Sequence, residues 1–293
     1  MKLGRFSYKN NEQYGVLINK TKILSLSVIS PYYRRLIPKR LEDMILQNHK
    51  TIKKVENMLS GIKKDNEEAV YDLTEIKFLP PITHPPKIVC LGLNYYDHAA
   101  EAKAEVPDEP VIFMKPSTTL TGSNQPIVKP KFVKQLDYEG ELVIVIGKKG
   151  KNIPLEKAED YIFGYTIMND VSARDIQFKD KQWTRGKSFD TFAPLGPYIT
   201  TANQIGNLNN LRIKTWVNGE LRQDSSTKNM VFNVFQIVHH LSKVMTLEPC
   251  DIIATGTPAG VGTFMKPPKF LQVGDEVKIE IENIGILVNK VVE

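Results

Sequence analysis

Strand-like runs rich in apolar residues, separated by glycines and polar turns, dominate the chain beyond residue 86. They lie at 87–93, 110–115, 142–146, 163–168, 211–217, 251–254 and 277–281. The run 142–146 contains no polar residue, which is typical of a strand buried on both faces. Over residues 233–245 the apolar positions instead recur at helical spacing, which predicts a helix. Because strands do not alternate with helices, the pattern disfavours a doubly wound sheet and predicts a β-rich α+β fold, a mixed β-sandwich roll.

Residues 1–75 have a different pattern: strand-like runs of a small sheet come first, and a basic stretch follows. In the basic stretch, apolar residues recur at roughly helical spacing, at Leu41, Met44, Ile45, Ile52 and Val55. Such an amphipathic helix can bind a partner or a membrane surface, but we expect it to pack on its own domain. The prolines between residues 80 and 86 then block both helix and ladder. We therefore predict a small N-terminal domain over 1–80 and a larger domain over 81–293.

The composition is that of an ordinary globular protein, with 293 residues of which 41% are hydrophobic and 25% charged. The opening, MKLGRFSYKN, has no apolar signal core, and no apolar run is long enough to span a bilayer. We therefore expect a cytoplasmic protein with no membrane partner. Cys90 and Cys250 lie beside apolar runs, which favours buried free thiols over a disulfide.

The formal net charge of +6 can indicate nucleic-acid binding. Here the lysines are scattered and form no arginine cluster interleaved with aromatic residues. We therefore favour a solvated surface and expect no nucleic-acid partner. Lysine enrichment with few cysteines is also a habit of hyperthermophile proteins. The positive charge can in addition draw anionic substrates toward the protein.

Two glutamates, Glu139 and Glu141, stand directly before the apolar run 142–146. Side chains two apart in a strand share a face, where these charges would repel each other and be penalised by burial. A hard divalent cation such as Mg²⁺, Mn²⁺ or Ca²⁺ removes both problems. Asp170, at the end of the run 163–169, would complete an oxygen triad. The alternatives are that Gly140 marks an edge where both glutamates face water, and that Asp170 is a helix N-cap.

His98 and Glu101 are three residues apart in a segment that can form a short helix. A glutamate beside a histidine holds its tautomer and raises its basicity, which makes a water-activating pair. Lys187, in a loop, can neutralise a substrate carboxylate or a developing enolate. Taken singly, both the histidine and the lysine are more often ordinary surface residues.

Two further segments can contribute polar groups to a site. Ser172 and Asp175 have the spacing of a capping box, which predicts a helix that carries Arg174 and Gln177 on one face. The glycine- and proline-rich loop 255–262 lacks the Gly-Lys-Ser/Thr ending of a phosphate-binding loop, so nucleotide binding is rejected. Its glycines let backbone approach a ligand closely, and Thr257 can donate a hydroxyl.

Six motifs in this order resemble those of the fumarylacetoacetate hydrolase superfamily, and together they cover about residues 85–293. They are Asn94-Tyr95-x-x-His98-x-x-Glu101, Phe113-x-Lys115-Pro116, Asp137-Tyr138-Glu139-x-Glu141-Leu142, Gly164-Tyr165-x-x-x-Asn169-Asp170-x-Ser172-Ala173-Arg174-Asp175-x-Gln177, Lys187-Ser188-Phe189-Asp190 and Thr255-Gly256-Thr257-Pro258-x-Gly260-Val261-Gly262. Each motif alone is weak, whereas their common order is specific. The amino-terminal region resembles the family less clearly.

The resemblance implies a mixed β-roll catalytic domain and a homodimer. It implies Mg²⁺ or Mn²⁺ held by three carboxylates, those of Glu139, Glu141 and Asp170. It also implies a lid that carries the catalytic pair His98 and Glu101 and closes over the substrate. The residues at family positions that hold the substrate are Arg174, Gln177, Lys187 and Thr257.

The chemistry that the resemblance implies is cleavage or rearrangement of a small 2-oxo or 1,3-dioxo acid. The acid would chelate the metal, which stabilises the enolate formed when the adjacent C–C bond breaks, while His98 activates water and Lys187 balances the charge. We expect an acylpyruvate hydrolase or an oxaloacetate decarboxylase. The nearest alternative is an isomerase or decarboxylase of aromatic-degradation intermediates such as 2-hydroxyhepta-2,4-dienedioate, and a 2-keto-3-deoxy sugar acid dehydratase fits less well. From another class, the basic N-terminal helix allows a non-enzymatic binding protein.

Overall fold

The structure is a computed structural model that describes residues 1–29, 31–47 and 49–293. Its strands are β1 (Lys2–Tyr8), β2 (Asn11–Leu17), β3 (Lys22–Ser25), β4 (Val70–Asp72), β5 (Lys77–Leu79), β6 (Ile88–Gly92), β7 (Val111–Lys115), β8 (Leu120–Thr121), β9 (Pro126–Val128), β10 (Leu136–Asp137), β11 (Gly140–Ile146), β12 (Ile162–Asn169), β13 (Ser172–Ala173), β14 (Ala193–Thr201), β15 (Arg212–Val217), β16 (Glu220–Ser226), β17 (Ile252–Ala254), β18 (Glu276–Ile281) and β19 (Gly285–Val292). Its α-helices are α1 (Pro31–Arg34), α2 (Leu41–Gln47), α3 (His49–Asp65), α4 (Tyr96–Ala102), α5 (Arg174–Asp180), α6 (Thr184–Lys187) and α7 (Val234–Val244).

Two sheets form the body of the protein. The larger has the order β4-β3-β2-β1-β14-β12-β11-β17-β6-β7, with β5 on β1 and β8 on β14, and the smaller has the order β16-β15-β18-β19-β9. Most neighbours are antiparallel, while the pairs β17–β6, β14–β8 and β19–β9 are parallel. Both sheet orders have two free ends, so within the described residues neither sheet closes into a barrel. The predicted β-rich α+β class with a mixed sandwich is confirmed.

Strand β11 is buried on both faces, as its unbroken apolar run predicts. Ile144 belongs to a buried cluster that also contains Ile213 and Ile279 of the smaller sheet. Val143 and Val145, which point to the other face, belong to a second cluster that contains residues of α2 and α3. The larger sheet is therefore a middle layer between the N-terminal helices and the smaller sheet. Burying apolar side chains on both faces is the main free-energy gain that holds this layer in place.

The predicted helix over 233–245 and the predicted free thiols are also found. Helix α7 begins after Asn233, whose side chain accepts hydrogen bonds from the backbone N–H groups of Phe235 and Gln236 and so caps the helix. Cys90 and Cys250 are both buried and unbridged. These features depend on local periodicity and residue type, which explains why the sequence alone predicts them.

The N-terminal strands extend the larger sheet, whereas the sequence predicts a small sheet of their own. Strand β1 pairs with β14, where Leu3 lies opposite Ile199. This hydrogen bonding joins residues that are far apart in the chain, so local patterning could not reveal it. The amphipathic stretch packs on its own region as predicted, because Leu41 and Val55 share a buried cluster with Tyr14 and Val16. The same cluster also contains Val143 of the central strand. The domain division at residue 80 stays a prediction.

Within the described residues, no helix combines the length and the apolarity that crossing a bilayer requires.

The register of the central strands brings several chain segments to one edge of the larger sheet. Strands β11 and β12 are antiparallel, and Gly140 lies opposite Asn169, so β11 begins where β12 ends. Strand β17 is antiparallel to β11, and β6 is parallel to β17. The carboxyl ends of β12, β17 and β6 therefore meet at the edge where β11 begins. Residues that follow these strands meet there with the residues that precede β11.

Candidate active site

Three carboxylates converge at this edge. Glu139, Glu141 and Asp170 each place one carboxylate oxygen so that the three oxygens lie within 4.8 Å of one another, and all three residues are buried. The backbone holds the arrangement, because the N–H of Asp170 donates to the carbonyl of Glu139 at 2.9 Å. The local strand pattern placed two of these acids on one face, and the pairing of β11 with β12 adds the third.

Glu139 and Asp170 are partly neutralised by two buried lysines. Lys187 Nζ lies 2.7 Å from Glu139 Oε2 and 3.0 Å from Asp170 Oδ2, and Lys115 Nζ lies 2.6 Å from Asp170 Oδ1. Burial alone would raise the pKa of Glu139, but the charges of Lys187 and Arg174 outweigh it and lower that pKa to about 2. Burial likewise would lower the pKa of Lys187, and Asp170 and Glu139 raise it instead.

Of the three carboxylates, Glu141 alone forms no ion pair with a lysine or arginine of the described residues. Burial, and then the charges of Asp170 and Glu139, raise the pKa of Glu141 well above its usual range. Its Oε2 accepts a 2.8 Å hydrogen bond from the N–H of Gly256, while its buried Oε1 has no hydrogen-bond partner among the described residues. An all-oxygen donor set with an unpartnered buried oxygen fits a hard divalent cation of the Mg²⁺ or Mn²⁺ type.

His98 and Glu101 form the predicted pair on α4. His98 Nδ1 lies 2.8 Å from Glu101 Oε1, and Glu101 Oε2 accepts a 2.9 Å hydrogen bond from the N–H of Gly260. The glutamate is therefore held from both sides, by the histidine ring and by the loop after β17. This arrangement leaves Nε2 as the ring nitrogen free of the carboxylate, and His98 lines the cavity described below.

A cavity of about 120 Å³ lies beside the cluster and collects most of the predicted site residues. The predicted residues that line it are His98, Glu139, Arg174, Gln177, Lys187 and Thr257. Glu141 and Asp170 join the site through their cluster with Glu139, and Glu101 joins it through His98. The structure thus brings all nine predicted residues to one place, while their individual roles stay predictions.

Arg174 and Thr257 are already engaged by protein groups. Buried Arg174 donates through Nε to Asp137 Oδ2 at 2.9 Å and through Nη1 to Gln177 Oε1 at 3.1 Å, and its Nη2 lies 2.8 Å from Glu139 Oε1. The Thr257 hydroxyl donates to the carbonyl of Gly140 at 3.1 Å, so its single proton is directed to backbone. Both residues shape the cavity wall, in addition to any contact with substrate.

The prediction of a capping box is wrong, although the predicted helix is present. Helix α5 begins at Arg174 after Ala173, with no side-chain cap. Ser172 donates its hydroxyl to the carbonyl of Asp170 at 2.9 Å, and Asp175 Oδ2 accepts from the backbone N–H of Lys134. The reason is that residues 172 and 173 form β13, which pairs with β10, so the serine is held in a ribbon rather than at the helix start.

Sequence reasoning assigned no role to Lys115 and Asp137, although both stand in the quoted motifs. Lys115 neutralises Asp170, as described above. Asp137 is fully buried, and its oxygens accept from Arg174 Nε and from the N–H groups of Gly262 and Thr263 at 2.8 and 3.0 Å. It therefore fastens the loop after β17 to the helix that carries Arg174. Its position two residues before Glu139, in the motif Asp-Tyr-Glu, was the feature of the sequence that could have indicated a role for Asp137 at the site.

Removing the Asp137 carboxylate should destabilise the protein strongly. In Asp137→Ala, Arg174 stays buried with one anionic partner fewer and two loop N–H groups lose their acceptor. We expect a loss of about 3–5 kcal/mol in the free energy of unfolding, measured by urea titration. The matched control is Asp224→Ala, which breaks the exposed pair with Arg212 and should cost about 1 kcal/mol or less. Equal losses in the two variants would contradict the fastening role.

Comparison with known proteins decides the family. Residues 87–292 match the family model described as "Fumarylacetoacetate (FAA) hydrolase C-terminal". The chain belongs to the fumarylacetoacetate hydrolase family. The match begins just after the proline-rich segment and includes every residue of the site, so the resemblance seen in the motifs is confirmed.

One curated relative and two solved structures align over nearly the whole chain. The oxaloacetate tautomerase YisK of Bacillus subtilis is 42% identical over 301 residues, which span 99% of this chain and 100% of that protein. The solved structure of a fumarylacetoacetate hydrolase from Exiguobacterium antarcticum superposes with a TM-score of 0.84 at 37% identity, covering 100% of this chain and 99% of the other. That of maleylpyruvate hydrolase from Sphingobium sp. SYK-6, in complex with manganese(II) and pyruvate, has a TM-score of 0.81 at 29% identity, again covering 100% and 99%.

Proposed function

We propose that this protein is a divalent-metal-dependent enzyme that interconverts the keto and enol forms of a small 2-oxo acid, with oxaloacetate as the leading substrate. The observation that carries the proposal is the buried triad of Glu139, Glu141 and Asp170 beside a cavity that His98 also lines. A relative that aligns over the full chain is named an oxaloacetate tautomerase, which supports this choice of acid. The proposal differs from the expectation from sequence, which placed C–C cleavage first and an isomerase second.

The three carboxylates are the residues that would hold the cation. Their oxygens are close enough to share one ion, and the unpartnered Oε1 of Glu141 is the acceptor that most needs it. When bound, the cation would withdraw electrons from the carbonyl oxygen of the acid. The manganese in the maleylpyruvate hydrolase complex supports a metal in this fold, and the donor set suits Mg²⁺ and Mn²⁺ alike.

His98 is the residue proposed to move the proton. Its Nδ1 is held by Glu101, so Nε2 takes a proton from C3 of the keto acid. The electron pair of that C–H bond forms the C2–C3 double bond, and the carbonyl electrons move to the oxygen on C2. Return of the proton to this oxygen gives the enol, and the reverse sequence gives the keto acid. Glu101 stabilises the imidazolium that exists between the two transfers.

Buried cations in the cavity wall can balance the negative charge of the substrate. Lys187 and Arg174 both line it, so they can attract the carboxylates of a dicarboxylic acid and the oxygen that becomes negative. Both are fixed by acidic partners, which limits the reorganisation needed when the substrate charge changes. The net charge of +6 adds a long-range attraction for such an anion.

Cleavage of a C–C bond in an acylpyruvate-like acid is the second candidate. It is favoured by the His98–Glu101 pair, which can take a proton from water as well as from carbon. Water then attacks the distal carbonyl, the C–C bond breaks, and protonation of the pyruvate carbon completes the hydrolysis. The maleylpyruvate hydrolase that shares this fold supports the possibility.

An assay that follows both reactions decides between them. Oxaloacetate enol is monitored by its ultraviolet absorbance, and pyruvate released from oxaloacetate or acylpyruvates is monitored by coupling to lactate dehydrogenase. We expect tautomerisation to fall by about 10²-fold or more after EDTA treatment and to return with Mg²⁺ or Mn²⁺. Metal without protein is the control for spontaneous reaction. Full turnover after EDTA treatment, or no rate above that control, would contradict the proposal.

A further inference from the structure

An aromatic wall forms part of the cavity that holds the candidate chemistry. The wall consists of Phe113, Phe178, Trp183 and Phe264, and it lines the same space as Glu139 and Lys187. None of these aromatic side chains enters the proton-transfer scheme above. Their position makes them candidates for selecting among substrates by size, since an apolar wall contacts the part of an acid that carries no charge.

Trp183 is seated directly on the end of β6. Gly92 is the last residue of that strand, and a Cβ at this position would overlap Cζ3 and Cη2 of the indole and lie 3.2 Å from Cε3. The three nearest atoms to such a Cβ all belong to Trp183. The glycine therefore leaves the space that the ring occupies, and any larger residue at 92 would have to displace it.

Contacts link Trp183 to the charged end of the cavity. The Trp183 and Phe113 ring centroids lie 5.7 Å apart at an interplanar angle of 81°, an edge-to-face contact. Lys187 Nζ lies 5.0 Å from the Phe113 ring centroid and also pairs with Glu139. Trp183 is thus connected to the carboxylate cluster through Phe113 and Lys187, and all three residues line the same cavity.

The connection between helices adds a second constraint on the indole. Trp183 lies between α5, which carries Arg174 and Gln177, and α6, which carries Lys187. These helices pack closely, since a Cβ on Gly186 would lie 2.8 Å from Gln177 Cβ. The ring therefore sits on a short link whose two ends are fixed, which restricts how far it can swing away from the cavity.

The size of the cavity indicates which acids it accepts. At about 120 Å³ it is smaller than the cavity of about 150 Å³ that, in another protein, holds one benzene molecule. We propose that Trp183, seated on Gly92, is a specificity-determining residue that admits short 2-oxo acids and excludes those with long or aromatic substituents. This inference rests on the proposed function, because it concerns the substrate of the same site.

A chain-length series tests the inference. We expect Trp183→Leu to raise the ratio of kcat/KM for a long-chain acylpyruvate over that for oxaloacetate by about tenfold or more, since one methylene in an apolar pocket changes this ratio by about that factor. The matched control is Trp216→Leu, which removes the other of the two tryptophans, a residue of β15 near Lys214 and Lys278. An unchanged ratio in Trp183→Leu, with the wild type active on oxaloacetate, overturns the inference.

A double replacement tests the contact between Gly92 and the Trp183 indole. Gly92→Ala alone should reduce kcat/KM for oxaloacetate, because the new methyl group moves the indole. In the Trp183→Leu background the same replacement should cost at least about threefold less, since the atoms it would meet are gone. Equal losses of kcat/KM in the two backgrounds would overturn the inference that Gly92 makes room for the Trp183 ring.

Binding measured without turnover separates failure of the inference from failure of the proposed function. In Trp216→Leu, Trp183 is the remaining tryptophan, so its fluorescence should change saturably when pyruvate is added with Mg²⁺. If the wild type turns over no 2-oxo acid, the proposed function fails. The affinities of the chain-length series for this variant then decide the inference alone: weaker binding of longer acids supports it, and equal or tighter binding overturns it.

Discussion

Glu141→Gln should lose divalent-cation binding and lower turnover by about 10³-fold or more. The side chain keeps its shape, and its amide oxygen can still accept from the N–H of Gly256, so the local backbone is preserved. What is lost is the charge on Oε1, the oxygen that no described protein group contacts by a hydrogen bond. A bound cation stabilises a transition state by several kcal/mol, and about 4 kcal/mol corresponds to a factor of about 10³. Isothermal titration with Mn²⁺ and the enol assay measure the two effects.

Glu141→Gln should also raise the stability of the metal-free protein, whereas loss of a residue with a purely structural role would lower it. Without metal, Glu141 is buried beside two other carboxylates and lacks a cation of its own, so removal of its charge should raise the melting temperature. With metal at a hundredfold its dissociation constant, the wild type should gain about 2.7 kcal/mol, and Glu141→Gln should gain little. Thermal melts with and without Mn²⁺ provide this comparison.

The control for this experiment is a glutamate outside the site. Glu280→Gln, on β18, changes a half-exposed carboxylate by the same chemistry and should keep both the turnover and the metal-induced shift. An undiminished metal shift in Glu141→Gln would remove the triad from metal binding. Full turnover of that variant in EDTA would remove the metal from the mechanism.

His98→Ala should reduce the rate of tautomerisation by about 10²–10⁴-fold, the range typical of a lost general acid or base. Hydrolysis of an acylpyruvate should fall by a similar factor, because the same nitrogen would activate water. Decarboxylation of oxaloacetate should be spared more, since it needs no attacking water. The three rates are measured in parallel on one preparation of the variant with saturating Mg²⁺.

Two further variants make the result specific. Glu101→Gln keeps an acceptor for the N–H of Gly260 and removes the charge beside Nδ1, so it should give a smaller loss than His98→Ala. His84→Ala changes an exposed histidine in the proline-rich segment and should leave the rates unchanged. Equal losses in hydrolysis and decarboxylation in His98→Ala would argue against activation of water by this residue.

Much of the secondary structure was predictable because it depends on local spacing. The run 142–146 contains no polar alternation, so only burial on both faces suits it, and the structure places a core on either side. Helix α7 followed from its apolar period, and the structure adds the Asn233 cap. The capping box at Ser172 failed for a non-local reason, since pairing of β13 with β10 holds that residue elsewhere.

Other predictions concern the assembly, the cellular location and the source of the protein. The homodimer, the cytoplasmic location and a thermophilic origin stay predictions, because each depends on partners or conditions outside the contacts within one chain. The role of the N-terminal region also stays open to experiment, although its strands and helices cover one face of the central sheet.

The amino-acid sequence by itself determined which chemical groups the protein has to work with: an all-oxygen triad, a histidine with its glutamate, and a lysine, in the order of a known family. Only the tertiary structure decided that Lys115 neutralises Asp170, that Asp137 fastens Arg174 to a loop, and that Trp183 rests on Gly92. Residue type dictates what a side chain can donate or accept. Strand order and register decide which groups meet. Both depend on hydrogen bonds between segments that are distant in the chain, and the local sequence pattern does not reveal those bonds.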